Sequence, residues 1–354
     1  MSRKFSRATT ALHARNQGLA LVELMIALVL GLVIIGAATG IMLSGIQGFR
    51  TTQGLSQVQD AARVGFELLA RDIRQAGNVP CGNDIPIVNI LNPANDGGTV
   101  PWQYDWDNAV RGLNDSTSLA GVTNQIAGTE SLIMLSGEAS DAYMEEYSST
   151  TNSANFVAGS SNPGGHGLED GDILLVCNEK LGTIFQMTNG SGAASNKIVS
   201  NTGNSSSPGN CSKGFGEFLG ACTTNGERAD YAPNTVIAQL SSTAWYIGDN
   251  GRPDEGGRSL YMARLGNNAG DAALRPIEIA SGITDLTFRF RVIDTADFVD
   301  ADAISAANRW ADVNAIEVSM SLLSQDQNIS TSAADDGRLG RSFTSVVAIR
   351  SRSL

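Results

Sequence analysis

One stretch limits what this chain can fold into more than any other. From Leu19 to Leu43 runs a segment of 25 residues that is apolar or small throughout, apart from Thr39 and Glu23. At about 1.5 Å of rise per residue, a helix of that length exceeds the roughly 30 Å hydrocarbon core of a bilayer. The segment reads as membrane-spanning, and Glu23 is its anomaly. A carboxylate in hydrocarbon is costly unless something pairs with it, so a purpose has to be found for it.

The flank fixes the direction. Arg3, Lys4, Arg7 and Arg15 precede the apolar run with no acid among residues 1–18. A basic flank stays on the cytoplasmic side, so the N-terminus is expected inside and the remainder exported. A plain signal anchor accounts for this but leaves Glu23 idle. A secretory signal cut after Gly36-Ala37-Ala38 does the same, and its apolar run is too long for the usual signal.

A third reading accounts for the acid. The sequence QG-LALVELMIALVLGLVIIG at residues 17–36 resembles the N-terminal signal of type IV pilins and pseudopilins. The resemblance implies a prepilin peptidase that cuts after Gly18 and methylates the new amino group on Leu19, where the family most often has Phe. Glu23 is then the fifth mature residue. An ammonium on Leu19 of one subunit and the carboxylate of Glu23 on its neighbour are each expensive alone in an apolar bundle. As a pair they neutralise one another and set axial register. Gly36 and Gly40 form a GxxxG spacing that permits close helix contact in lipid, although glycine is common in such helices.

The helix is expected to outrun the membrane. Leu55, Val58, Ala62, Phe66, Leu69 and Ile73 recur at steps of three and four, one face of an α-helix. Arg63, Glu67 and Arg71, four apart, are positioned for i,i+4 ion pairs worth a few tenths of a kcal/mol each. Gly77 and Pro80 supply a stop. A continuous helix from Leu19 to Ala76 would be about 87 Å long, with Gly45, Gly48 and Gly54 as places where it softens. The expected divisions are a cytoplasmic leader over 1–18, a transmembrane or filament-core helix over 19–44, its amphipathic continuation over 45–79 and a periplasmic globular head over 80–354.

Four cysteines, Cys81, Cys177, Cys211 and Cys222, all follow the apolar segment. An even number on the exported side points to two disulfides, with three connectivities possible. Proximity favours Cys211–Cys222 together with Cys81–Cys177. The cysteines contain no CxxC pair, and only His13 and His166 supply imidazoles, so no zinc site is expected. His166, in NPGGHGLEDGD, reads as a solvated loop histidine rather than a triad base. No catalytic constellation, metal or cofactor is expected.

The net charge is −12; without residues 1–18 it is 20 basic against 36 acidic side chains, or −16. Phosphate contact needs Lys and Arg in excess, so direct nucleic-acid binding is not expected. The acidic groups Asp249-Asn250 with Asp254-Glu255, and Asp335-Asp336, lack the spaced oxygen ligands of an EF-hand loop and read as solvated turns.

Residues 83–165 read as loop-rich, with Trp102, Tyr104 and Trp106 anchoring a loop to the core. Ile173 to Val176 reads as a strand and 188–235 as a surface excursion. Beyond residue 243, STAWYIGD and RSLYMARL read as two strands joined by a long turn. In ITDLTFRFRV the residues Leu286, Phe288, Phe290 and Val292 alternate with Thr287, Arg289 and Arg291. In AIEVSMSLL the residues Ile316, Val318, Met320 and Leu322 alternate with Glu317, Ser319 and Ser321, and SFTSVVAIRSR ends the chain as a further strand. Period-two patterns with one wet face mean an antiparallel sheet. The expected fold is α+β and pilin-like: one long helix on an antiparallel head with long loops.

The segments FELLARDIRQAGNVPCG, GDILLV, WADVNAIEVSMSLLS and RSFTSVVAIRSR resemble the PilW-type minor pilins, and the J-type pseudopilins of type II secretion share their plan. That resemblance implies a minor-pilin complex at the filament tip that primes assembly, supporting twitching motility, adhesion or DNA uptake. The implied partners are the prepilin peptidase, other minor pilins, the major pilin and the inner-membrane assembly platform. The implied location is the inner membrane of a Gram-negative bacterium, single-pass with a periplasmic head, and then the periplasm or fibre tip.

Overall fold

The first element is a helix, α1, running without a break from Leu21 to Gln75. It passes through Gly45, Gly48 and Gly54 without interruption. In this computed structural model the described residues are 21–82, 85–92, 100–148, 154–160, 166–188, 197–203, 206–216, 223–229, 231–332 and 334–352. The chain divides into two compact units, residues 1–53 and residues 54–354. The second half of α1 therefore belongs to the head.

Among the described residues the head carries two sheets. The larger has ten strands, and its spine is a long antiparallel pair, β3 (Ser131–Ser148) with β8 (Val236–Asp249). On one side of β3 lie β2 (Val110–Leu113), β4 (Ala154–Ser160) and then β7 (Lys197–Ser200). On the other side of β8 lie β5 (Ile173–Cys177), β6 (Gly182–Gln186) and β1 (Ile87–Asn89). The later part of β8 pairs instead with β9 (Arg258–Asn268), which leads to β10 (Asp271–Ser281). All these pairings are antiparallel except β1 with β6. The second sheet is a three-stranded antiparallel meander of β11 (Ile283–Val292), β12 (Val313–Leu323) and β13 (Gly340–Ala348). A short helix α2 (Ala301–Ala307) joins β11 to β12.

The expected strands after residue 243 are found, and their alternation holds: Leu286, Phe288, Phe290, Ile316, Val318 and Met320 are all buried. The loop-rich expectation for 83–165 holds over most of 100–130 but missed β1 to β4, above all the long β3. Leu132, Ile133, Met134 and Leu135 at the start of β3 are all buried, so no alternation marks the strand. The surface excursion over 188–235 holds in part, since 223–228 and 232–234 are almost all exposed, but fails around residue 210. Asn210, Ser212 and Phe215 are fully enclosed, and β7 lies within that span. The polar groups there are satisfied internally: Asn210 accepts from the Gln186 N–H at 2.7 Å and donates to the Gln186 carbonyl at 2.8 Å.

The main core lies between the head half of α1 and both sheets. Val58, Ala62, Leu69, Ala70 and Ile73 meet Trp245, Leu260, Leu286, Phe290, Ile316 and Val318. The anchoring role expected for the aromatic loop is found: Trp102 and Tyr104 are buried, and the Trp102 indole N–H donates to the Ala120 carbonyl at 2.9 Å.

Candidate functional site

The candidate site is α1, whose two halves do different work. Within the head, its buried face is set by spacing and by two glycines. A Cβ on Gly54 would overlap Ile329 Cδ1, and one on Gly65 would stand 3.0 Å from both Ile283 Cδ1 and Leu260 Cδ2. The missing side chains let the helix backbone approach the sheets closely. The exposed side carries Arg63 and Glu67, which form the expected ion pair at 2.9 Å. Being solvated, that pair contributes little.

Polar contacts fasten the same half. The Trp245 indole N–H, on a fully buried ring, donates to Asp72 Oδ2 at 2.9 Å. Burial pushes the Asp72 carboxyl above the ordinary aspartate range, opposed by that hydrogen bond and by Arg71 and Arg264. At the helix end, Gly77 takes a positive φ of 69° and its N–H donates to the Leu135 carbonyl at 2.7 Å. The Ser351 hydroxyl donates to the Ala76 carbonyl at 2.8 Å, so the C-terminal segment holds the helix terminus. Beside it, Arg352 donates to the Trp310 and Val313 carbonyls, and burial lowers its guanidinium to about 10.

The first half of α1 is the reverse. From Leu21 to Arg50 nearly every side chain is exposed, including Leu21, Val22, Leu24, Met25, Ile26, Leu28, Val29 and Leu30. The helix is long and apolar enough to cross a membrane. So much contiguous apolar surface marks a lipid or partner interface. Glu23 lies near the start of the described part of this helix and is exposed. Gly18 and Leu19, the expected cleavage and methylation residues, lie outside the described residues.

Cys81 and Cys177 are disulfide-bonded, with Cα atoms 5.9 Å apart. The bond ties the segment following α1 to the end of β5. Cys211 is also in a disulfide; Cys222, its expected partner, lies outside the described residues. His166 departs from expectation: it is buried rather than solvated, and its Nδ1 accepts from the Leu168 N–H at 3.1 Å. Leu168 enters a core cluster with Phe185 and Ile237 and draws the histidine in with it.

The acidic turns are occupied by local partners. Asp249 Oδ1 accepts from the Gly251 N–H at 2.8 Å, and Glu255 pairs with Arg252 at 2.7 Å, while Arg252 also pairs with Glu278. Among the described residues no group of three or more His, Cys, Asp or Glu is placed to hold a metal ion.

Residues 13–39 match the family described as Prokaryotic N-terminal methylation motif. The leader is of the prepilin type. The match takes in Arg15 of the basic flank, Gly18, Leu19, Glu23 and most of the apolar run, and with the long helix and β head it supports a type IV pilin-like protein. It implies processing by prepilin peptidase in a pilus-assembly context. No curated protein and no solved structure matches the chain. Sequence reasoning missed the Asp72–Trp245 contact, since a sequence separation of 173 leaves no local signal.

Proposed function

We propose that this chain is a minor type IV prepilin, not an enzyme, which is cut after Gly18, methylated on Leu19 and built into a tip complex of minor pilins that primes pilus assembly. The observation that carries the reading is Glu23 within an exposed apolar helix, inside a matched methylation motif. The acid has no use in a simple anchor and a definite one in an assembled bundle, where a neighbour's freed amine neutralises it. A head of about 280 residues also suits a filament end better than a repeating shaft. The disulfide between Cys81 and Cys177 supports a head exported to an oxidising compartment, the periplasm. The J-type pseudopilins of type II secretion share the plan, and the genes beside this one separate the two systems.

Two measurements test the proposal. N-terminal sequencing and intact mass of membrane-recovered protein are expected to show a chain starting at Leu19 with one added methyl group; a chain starting at Met1 refutes it. Glu23→Ala is expected to be exported and cut like the parent, while piliation drops sharply. Normal piliation in that variant removes the register role of Glu23.

A further inference from the structure

The two outer edges of the three-stranded sheet are treated differently. Along β11 the Phe288 N–H donates to Glu130 Oε2 at 2.7 Å, and Phe290 exchanges both backbone hydrogen bonds with Val299. That edge is closed. On the opposite edge β13 pairs with β12, and no other strand among the described residues pairs with it.

The unpaired groups of β13 follow from the register. Phe290 turns its N–H and C=O outward, so in an antiparallel ladder β12 bonds β11 through odd-numbered residues and β13 through even-numbered ones. The Ile349 N–H donating to the Asn314 carbonyl at 2.9 Å keeps the same phase. Ser342, Thr344, Val346 and Ala348 therefore point their N–H and C=O groups away from the sheet. From Ser342 to Ala348 the edge has no charge and no proline, the devices that normally blunt such edges. Phe343 is 40% exposed and Val346 51%.

Charge selects the occupant. From Arg338 to Leu354 the sequence holds Arg338, Arg341, Arg350 and Arg352 and no acid, in a chain of net charge −12. Arg338 and Arg352 are turned inward onto backbone carbonyls, while Arg341 is exposed at one end of the strand. A second copy would bring the same basic edge on an equally acidic body, which disfavours self-pairing.

Resting on the prepilin reading, we infer that the free edge of β13 accepts an acidic extended strand from a different pilin-like subunit, continuing the three-stranded sheet across the subunit boundary. Main-chain bonds at 342, 344, 346 and 348 supply affinity, Phe343 and Val346 supply apolar contact on the two faces, and Arg341 selects an acidic partner.

The test uses the full chain expressed with the other prepilins of its host, carrying a photoreactive benzoylphenylalanine in place of Phe343. The expected adduct maps to an acidic extended segment of another pilin-like subunit. Val346→Pro deletes an outward N–H and leaves the β12 bonds intact; it is expected to lower the adduct at least about tenfold, equivalent to roughly 1.4 kcal/mol, while Val346→Thr retains it. Arg341→Glu, which touches no ladder bond, is expected to lower it as well. Retention of the Cys81–Cys177 bond and of the parent melting temperature shows that each variant folds. An adduct to a second copy or to lipid, or one insensitive to both Val346→Pro and Arg341→Glu, overturns the inference. So does the absence of an adduct from chains that start at Leu19, with the prepilin reading left standing; chains that start at Met1 overturn both.

Discussion

Asp72 shows how one residue serves the seating of a helix at a cost. Its carboxylate is the acceptor for a buried indole N–H, yet burial raises its pKa. A carboxyl whose folded pKa lies above its unfolded value binds more protons when folded, so its contribution weakens the fold as pH rises through the folded pKa and recovers as pH falls. Asp72→Asn keeps an oxygen for Trp245 and removes the buried charge. It is expected to equal or exceed the parent in stability at neutral pH, with the difference closing on acidification toward the ordinary aspartate range. Asp72→Ala strands the indole donor and is expected to cost about 1–3 kcal/mol. Denaturant melts at a series of pH values check both. An asparagine variant that loses as much as the alanine variant at neutral pH would show that the ionised carboxylate itself is required.

At the scale of elements, the helix was legible and its fit against the head was not. Periodicity placed Val58, Ala62, Leu69 and Ile73 on the buried face, because a 3.6-residue repeat is a local property. Gly65 carried no such message, since its value lies in the approach of Ile283 and Leu260, about two hundred residues away in sequence. Gly65→Ala is expected to stay within about 1 kcal/mol of the parent, gained helix propensity offsetting a tight Cβ. Gly65→Leu is expected to cost about 1–3 kcal/mol by overpacking, read from urea midpoints. The strands divide in the same way. β11 and β12 announced themselves by a wet face opposite a dry one, whereas β3 begins buried on both faces and ends in a polar run. β10 contains Pro276, which argues against a central strand and is tolerated because, among the described residues, β10 pairs only with β9 and lies at an edge. The enclosed loop around Asn210 was misread because internal hydrogen bonds let polar residues sit where composition suggests solvent.

At the scale of the molecule, the boundary between Gln53 and Gly54 separates two kinds of chemistry along a single helix. Residues before it expose apolar side chains that water does not tolerate in quantity; residues after it are core members of the head. The cut that yields a soluble domain is therefore not at the end of the helix. Removal of residues 1–53 is expected to leave a monodisperse protein that melts cooperatively with its Cys81–Cys177 bond formed. Removal of residues 1–76 strips Val58, Ala62, Leu69, Ala70 and Ile73 from the largest core cluster. Truncating a single buried Leu or Ile costs on the order of 2–5 kcal/mol, and a whole domain is stable by only about 5–15 kcal/mol, so the shorter fragment is expected not to fold. Size-exclusion chromatography and thermal melts of the two fragments decide the matter. A cooperative melt from the shorter one would mean that the helix lies on the head as a passenger rather than forming part of its core.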